Sequence, residues 1–473
     1  MKFSTGLLFC AALGLASASH GEQIVNDITQ LNPIVVDQVA QPTRLEQIVQ
    51  LVANHPGPIA IGGGRYSMGG QTATEHALQI DMQRFDQVLA FSRERKEITV
   101  QAGITWRALQ DFIDPYDLSV SIMQSYANFT VGGALSVNAH GRYIGHGPLV
   151  SSVKSIKLVL ADGQVIEASP QNNAELFYGA IGGYGGLGVI VEATLQLSDN
   201  QRLLRTFEEM PLQRYNDYFF QHIANDPQVI LHNAVLYPNQ YQHLRAVSYR
   251  QTELPVTVEE RLTPLDRNYW KERRAMKVVS QWPMGKSIRE EVIDPLVFKD
   301  KQVVWRNYEA SLDVRELEPA SRARRTYVLQ EYFVPPGQLQ GFVEDMGETL
   351  RRHKVNVINL SIRHAKADPG TLLAWARTEV FALVLYYQQD TRPTARDEVR
   401  QWTRSLVDSA IRHGGSYYLP YQILATPEQF HAAYPRANEF FALKARVDPH
   451  NKFRNKLWDA YAPQPPNPTP SER

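Results

Sequence analysis

Cysteine is almost missing from this chain. Among 473 residues there is one, Cys10. It lies in Met1 to Leu15, where one lysine precedes an apolar core and Ala16-Ser17-Ala18 follows as a small-residue cleavage site. Residues 1–18 therefore read as a removable export signal, giving a periplasmic or secreted protein. A lipid attached at Cys10 is the competing reading, but Phe9 stands where such signals want a small residue. Without residues 1–18 the mature chain has no thiol. This excludes disulfides, thiolate metal ligands, a cysteine nucleophile and a cysteinyl link to a cofactor. An excess of charge is missing too. Lys+Arg and Asp+Glu both number 49, so the total favours neither nucleic acid nor an anionic membrane. No apolar run of the roughly 20 residues that cross a bilayer is present, so no transmembrane span is expected in the mature chain.

Glycine, by contrast, is concentrated. Gly62-Gly63-Gly64-Arg65-Tyr66-Ser67-Met68-Gly69-Gly70-Gln71 holds five glycines in ten residues, just after the apolar run Ile59-Ala60-Ile61. Such a loop lets the backbone approach a ligand closely, and successive amides can converge on an anion. Arg65 and Ser67 add donors. The loop obeys neither common phosphate grammar: Gln71 follows Gly69-Gly70 where a triphosphate loop needs Lys-Ser/Thr, and no helical period opens after Gly64. A diphosphate is the natural guest; a plain surface turn is the alternative. A second dense stretch runs from Asn128 through Thr130-Val131-Gly132-Gly133-Ala134-Leu135-Ser136 to His140-Gly141-Arg142 and His146-Gly147-Pro148. A third is Gly182-Gly183-Tyr184-Gly185-Gly186-Leu187-Gly188, followed by Val189 and Ile190. Three clusters hung on short strands suit one extended dinucleotide better than three unrelated turns.

Periodicity organises the rest. Thr43-x-x-Glu46 predicts a capping box for a helix carrying Leu45, Ile48, Leu51 and Val52, and Thr105 predicts the cap of another with Trp106, Leu109 and Phe112. Asp162-Gly163 predicts a hairpin between Ile156 to Leu160 and Val165 to Ala168. Strands are expected at 78–81, 88–91, 98–100, 189–195, 229–235, 245–249, 355–363 and 380–387, and a helix at 394–413. Near Asn200 glycine becomes rare. We divide the chain into residues 32–200, a second domain at 201–413, a returning segment at 414–462 and a Pro-rich tail at 463–473. The fold class expected is α+β.

As an ordered set, the loop at 62–71, Thr130-Val131-Gly132-Gly133 with His140-Gly141, Gly185-Gly186-Leu187-Gly188-Val189-Ile190 and the closing Asp448-Pro449…Phe453…Asn455 resembles flavoproteins of the vanillyl-alcohol oxidase / p-cresol methylhydroxylase (PCMH) type. Gly132-Gly133…His146-Gly147-Pro148 is similar to cytokinin dehydrogenases. Leu329-Gln330-Glu331-Tyr332-Phe333-Val334-Pro335 and the C-terminal third look more like aldonolactone oxidases and decaprenylphosphoryl-ribose oxidases. The resemblance implies a two-part PCMH-type FAD-binding domain under a cap domain with an antiparallel sheet. It implies FAD contacts from Gly62, Gly63, Gly64, Arg65, Tyr66, Ser67, Met68, Gly69, Gln71, Ser125, Thr130, Gly132, Gly133, Ser136, His140, Gly141, Gly188, Val189 and Ile190. Arg65 and Arg142 would offset diphosphate charge.

Three departures matter. Many relatives attach the flavin through a His just before the loop Ser; Tyr66 stands there, so the FAD is expected to be non-covalent. Aldonolactone oxidases carry Glu-x-Arg on a cap strand; the matching residues are Ser361-Ile362-Arg363. Sugar-oxidising relatives place a Lys near the C-terminal loop, where Tyr421 falls. Oxidation of an alcohol by a flavin needs a proton acceptor and a group that steadies charge. Arg363 suits the second task; Tyr421 and Glu331 are the candidates for the first, a tyrosine only with a lowered pKa. The plain alternative for Arg363 and Glu331 is a strand-surface ion, and for Tyr421 a core aromatic. His140 is expected to pack on the flavin; with His146 it lacks a third metal ligand. The expected reaction moves a hydride from a CH–OH group of a sugar, lactone or similar small polar alcohol, with oxygen or a quinone as acceptor. A flavin carrier with lost catalysis and an amine dehydrogenase of the cytokinin type are the alternatives.

Overall fold

The computed structural model describes residues 19–282 and 284–463. The stretch at 1–18 expected to be an export signal and the tail beyond Pro463 lie outside the described residues.

Three sheets carry the chain. The first has the order β1-β2-β4-β3, from β1 (Ser19–Val25), β2 (Ile34–Ala40), β3 (Ile59–Gly62) and β4 (Leu78–Asp81). Strands β3 and β4 run parallel, so both release the chain at the same edge, where the glycine loop begins. The second sheet is antiparallel and centres on β10: β5 (Val88–Ser92), β6 (Glu97–Gln101), β7 (Leu118–Val120), β8 (Val153–Val159), β9 (Val165–Ala168) and β10 (Val189–Asp199). Along β10 from Val191 onward buried and part-exposed residues alternate, the signature of a half-buried strand.

The third sheet has eight strands in the order β14-β11-β13-β12-β16-β17-β15-β18, every pair antiparallel. They are β11 (Arg202–Pro211), β12 (Val229–Leu236), β13 (His243–Gln251), β14 (Val303–Trp305), β15 (Arg325–Val334), β16 (Asn356–Ala365), β17 (Val380–Asp390) and β18 (Ser416–Tyr417). The last strand comes from beyond residue 413, so the returning segment completes this sheet. Strand β17 sits near the middle and is buried over Val380 to Tyr387, which explains its unbroken apolar run. On β15 the two faces separate cleanly. Gln330 turns to the helix Pro393–Arg412, where its amide donates to Thr403 Oγ1 at 2.8 Å, while Leu329 and Glu331 face a cavity on the other side.

The glycine-rich half and the cap each have a large apolar core. The C-terminal segment ties them. Ile59 exchanges backbone hydrogen bonds with Lys452 and Arg454, and Met68 N–H donates to Pro420 O at 2.6 Å. The helix at Leu45–Asn54 forms, but the expected Thr43–Glu46 capping box does not: Arg44 is the N-cap and has no side-chain acceptor to offer, so only half of a box is made, with Gln47 Oε1 accepting the Thr43 and Arg44 amides. Glutamine competes better than Glu46 here because its side chain lies at the third helical position, above the free amides. Thr105 caps Trp106–Ile113 through Ala108 N, and Gly163 turns the 162–163 hairpin at φ +86°.

Candidate active site

The three sheets meet around one elongated void. Its larger part, about 520 Å³, lies between the glycine loop and the cap sheet. A smaller chamber, about 60 Å³, continues beneath the loop toward β10. Gly63, Ser67, Thr72, Thr130, Gly133 and Val137 wall both.

The loop's geometry follows from its neighbours. A Cβ on Gly63 would sit 2.2 Å from Thr130 Oγ1, so only glycine lets loop and helix cap close on each other. Thr130 Oγ1 accepts the Gly133 amide that opens the short helix Val131–Ser136. Arg65 adopts φ +58° and pairs with buried Asp81 at 3.2 Å. Met68 and Gly69 amides are taken by Pro420 O and Gln71 Oε1. The amides of Gly64, Arg65, Tyr66 and Ser67 donate to no protein acceptor among the described residues. Four consecutive free donors beside a cavity are what a diphosphate would satisfy.

The structure brings most of the expected cofactor residues to this void. Gly63, Gly64, Arg65, Tyr66, Ser67, Met68, Ser125, Thr130, Gly133 and His140 line the larger part, and Gln71, Gly132, Ser136, Gly188 and Ile190 the smaller. Four do not line it. Gly62 ends β3 opposite Asp81. Gly69 packs on Tyr421 O and Gly141 on Met123 O, where a Cβ would lie 2.5 and 2.2 Å away. Val189 is fully buried at the head of β10. Arg142 also departs from expectation. It is half-buried and pairs with Glu309 at 2.8 Å under Tyr249, because a cation largely taken out of water needs a partner close by. It plays no part at the cavity wall.

Tyr66 holds its ring edge-on to Phe129 at 4.7 Å between centroids. Burial, then the charges of Glu318 and Asp313, push its phenol up to about 12, so it stays protonated. Ser125 Oγ is buried with no protein partner, and Arg65 Nε likewise.

Opposite the loop, the cap sheet sets a row of side chains into the cavity. Ser361 on β16 pairs with Val384 on β17, and Val384 with Glu331 on β15, so serine and carboxylate lie in one row two strands apart. Glu331 is 3% exposed. His140 Nε2 lies 2.6 Å from its Oε1, and the Tyr421 hydroxyl donates to its Oε2 at 3.2 Å. His140 is wedged among Trp375, Phe333 and Tyr418. Burial and then the Glu331 charge raise the Tyr421 phenol well above its ordinary value. That is the opposite of what a tyrosine base needs; its hydroxyl is a donor here. Arg363 lines the same cavity with Nε buried and unpartnered, and its guanidinium makes no hydrogen bond among the described residues. Burial pulls its pKa down and Glu331 pushes it up.

Sequence reasoning did not find Tyr418, Phe129 or Arg322, which also line the larger part, or Gly185, which lines the smaller one. Two of them carried a signal: Phe129 lies inside the stretch that begins at Asn128, and Gly185 in the third glycine cluster. The closing motif proves to be a staple. Lys444, buried in the helix Ala437–Val447, donates to Asp448 Oδ2, Gly186 O and Phe453 O at 2.7–2.9 Å, and Asn455 Nδ2 donates to Tyr184 O. Among the described residues no group of three or more His, Cys, Asp or Glu is disposed to hold a metal ion, and no helix is long and apolar enough to cross a membrane.

Residues 33–169 match a family described as FAD binding domain. L-gulonolactone oxidase of Mus musculus is 31% identical over 186 residues, 39% of this chain and 42% of that protein. L-galactono-1,4-lactone dehydrogenase, mitochondrial, of Brassica oleracea is 38% identical over 125 residues, 26% of this chain and 21% of the other. Cytokinin dehydrogenase 2 of Arabidopsis thaliana is 28% identical over 207 residues, 43% and 40% of the two. The matches thus span less than half of each relative's length.

Proposed function

We propose, from the premise that this chain belongs over residues 33–169 to the PCMH-type FAD-binding flavoproteins, that the whole protein is an FAD-dependent oxidoreductase. Its substrate would be a small polar alcohol of the sugar or lactone class, oxidised at a CH–OH group. The four free amides of Gly64 to Ser67 fit the diphosphate, and the long void they border fits an extended dinucleotide.

The observation that carries the reading is the buried Glu331, hydrogen-bonded by Tyr421 on one oxygen and 2.6 Å from His140 Nε2 on the other, across the cavity from the loop. FAD, when bound, supplies the two-electron acceptor. Glu331 takes the hydroxyl proton of the substrate, and its second oxygen stays fixed by Tyr421 while it does so. Arg363, a permanent cation with unspent donors, steadies negative charge as the O–H bond breaks. A carboxylate on β15 thereby stands in for the acid that Ser361 replaces on β16. Retention of both a carboxylate and a cation at the cavity also speaks for catalysis over a merely flavin-carrying protein.

Tyr66 in place of an attaching histidine, and the lack of any cysteine beyond Cys10, support non-covalent FAD. The acceptor is oxygen or a quinone, and the early apolar stretch supports export. Purified protein should be yellow and should release its colour on acid precipitation. Anaerobic mixing with a panel of sugars and aldonolactones should bleach the flavin with at least one of them; a yellow protein that no member reduces defeats the substrate assignment, and a colourless one that cannot be reconstituted defeats the cofactor reading.

A further inference from the structure

The roof of the larger cavity has an unusual outer surface. It is built from the helix Trp270–Gln281 and the broken helical segment that follows, Gly285–Ile288, Arg289–Ile293 and Asp294–Phe298. The inner faces do what a cover should: Met276, Val279 and Ile293 line the cavity. Asp294 fastens the second piece to the cap sheet through Arg245 and to its own turn through Arg289, both at 3.5 Å.

The outer faces are apolar as well. Trp270, Trp282, Met284, Val292, Leu296 and Val297 are 52–69% exposed. These are six of the fourteen exposed large hydrophobic residues among the described residues, drawn from one short stretch. Water-facing covers do not carry such a concentration; it marks a surface that meets something apolar. The charges between them say what. From Trp270 to Lys301 the exposed charged residues are six basic (Lys271, Arg273, Arg274, Lys277, Lys299 and Lys301) and two acidic (Glu291 and Asp300). The overall balance of 49 against 49 hides this local excess. Two indoles, branched aliphatics and a basic fringe on short helices are the composition of an element lying in the headgroup layer of a bilayer.

We propose that the segment Trp270–Lys301 rests on an anionic lipid surface. Trp282, Leu296 and Val297 enter the acyl boundary and the lysines meet the headgroups, so that the cavity's roof lies against the membrane with no spanning helix. The contact is peripheral and weakens with salt.

Flotation of the full flavin-loaded chain with vesicles tests it, and needs no substrate, so its outcome is separate from that of the proposed reaction. The protein should float with vesicles containing phosphatidylglycerol and stay below with pure phosphatidylcholine. The triple variant Trp282→Ser/Leu296→Ser/Val297→Ser and the charge variant Lys271→Glu/Lys277→Glu/Lys299→Glu should each weaken binding by about tenfold or more while keeping the flavin spectrum. Failure of the wild type to float with either vesicle overturns the proposal. So does flotation that both variants leave unchanged. A dimer seen by sedimentation velocity and lost in the serine variant also overturns it, because the patch is then covered by a second copy.

Discussion

The glycine loop at 62–71 and the cap sheet face the same cavity with different materials. The loop offers main chain: four free amides, glycines that let backbone touch backbone, and one arginine already spent on Asp81. The cap offers side chains: Glu331, Arg363 and Tyr421, presented from β15, β16 and the loop after β18. Main-chain donors hold a fixed charge such as a diphosphate and need no particular side chain. Proton transfer needs a titratable group in one place. On the proposed function the two walls would divide the work into holding and reacting, and substitutions on them should fail in different ways.

The sharpest way to break this division is Glu331→Gln. It keeps the shape but not the base, so anaerobic flavin reduction should slow on the order of 10³-fold with flavin content unchanged. Loss of flavin instead would mean the cap wall also holds the cofactor. Next in size is Lys444→Met, which leaves the buried Asp448 carboxylate with the Lys452 and Phe453 amides but without its counter-charge. It should cost about 3–5 kcal/mol of stability, read as a lowered thermal midpoint and a loosened third glycine cluster.

Glu316 supplies a pH test on the cap side. Burial raises its carboxyl from 4.5 to about 7, against the pull of the Tyr126 hydrogen bond. The folded state then holds a proton that the unfolded chain has already lost. Stability is full below pH 4.5 and declines as pH rises to 7, by about 3 kcal/mol at most. Denaturant titrations across that range should show the decline, and Glu316→Gln should flatten it.

Gly63→Ala probes the other wall. Its Cβ would meet Thr130 Oγ1 at 2.2 Å, so the loop must shift, at a cost of about 1–3 kcal/mol. FAD affinity should fall about tenfold or more while the reduction rate of the flavin that remains bound is kept. The smallest effect is expected from Tyr421→Phe. Removing one hydrogen bond from Glu331 costs about 1 kcal/mol, a few-fold loss in reduction rate with an unchanged flavin spectrum.

How much of this was legible beforehand differs by region in the same way. Local patterns gave the strands around β10, the helix capped by Thr105 and the 162–163 turn, because each depends on neighbours within a few residues. The Thr43 box did not form because the helix begins one residue later, with Arg44 at the cap, and the sequence does not say which residue turns first. The glycine loop could be read as a diphosphate site because backbone freedom is written in residue type. Glu331 remained one candidate among several, and Tyr421 was open to a base role that its burial beside Glu331 now turns into a donor. Arg142 looked like a loop cation because nothing near it in the chain foretells Glu309.

The amino-acid order by itself determined where main chain must be pliant, where apolar residues repeat, and that no thiol beyond Cys10 is available. These are properties of short stretches and survive without a partner. Which carboxylate reaches the cavity was decided only by the register of β16, β17 and β15, which sets Ser361, Val384 and Glu331 in one row and brings His140 to the far oxygen. Strand register is fixed by packing across the whole sheet, and a slip of one residue would turn Glu331 into the helix layer.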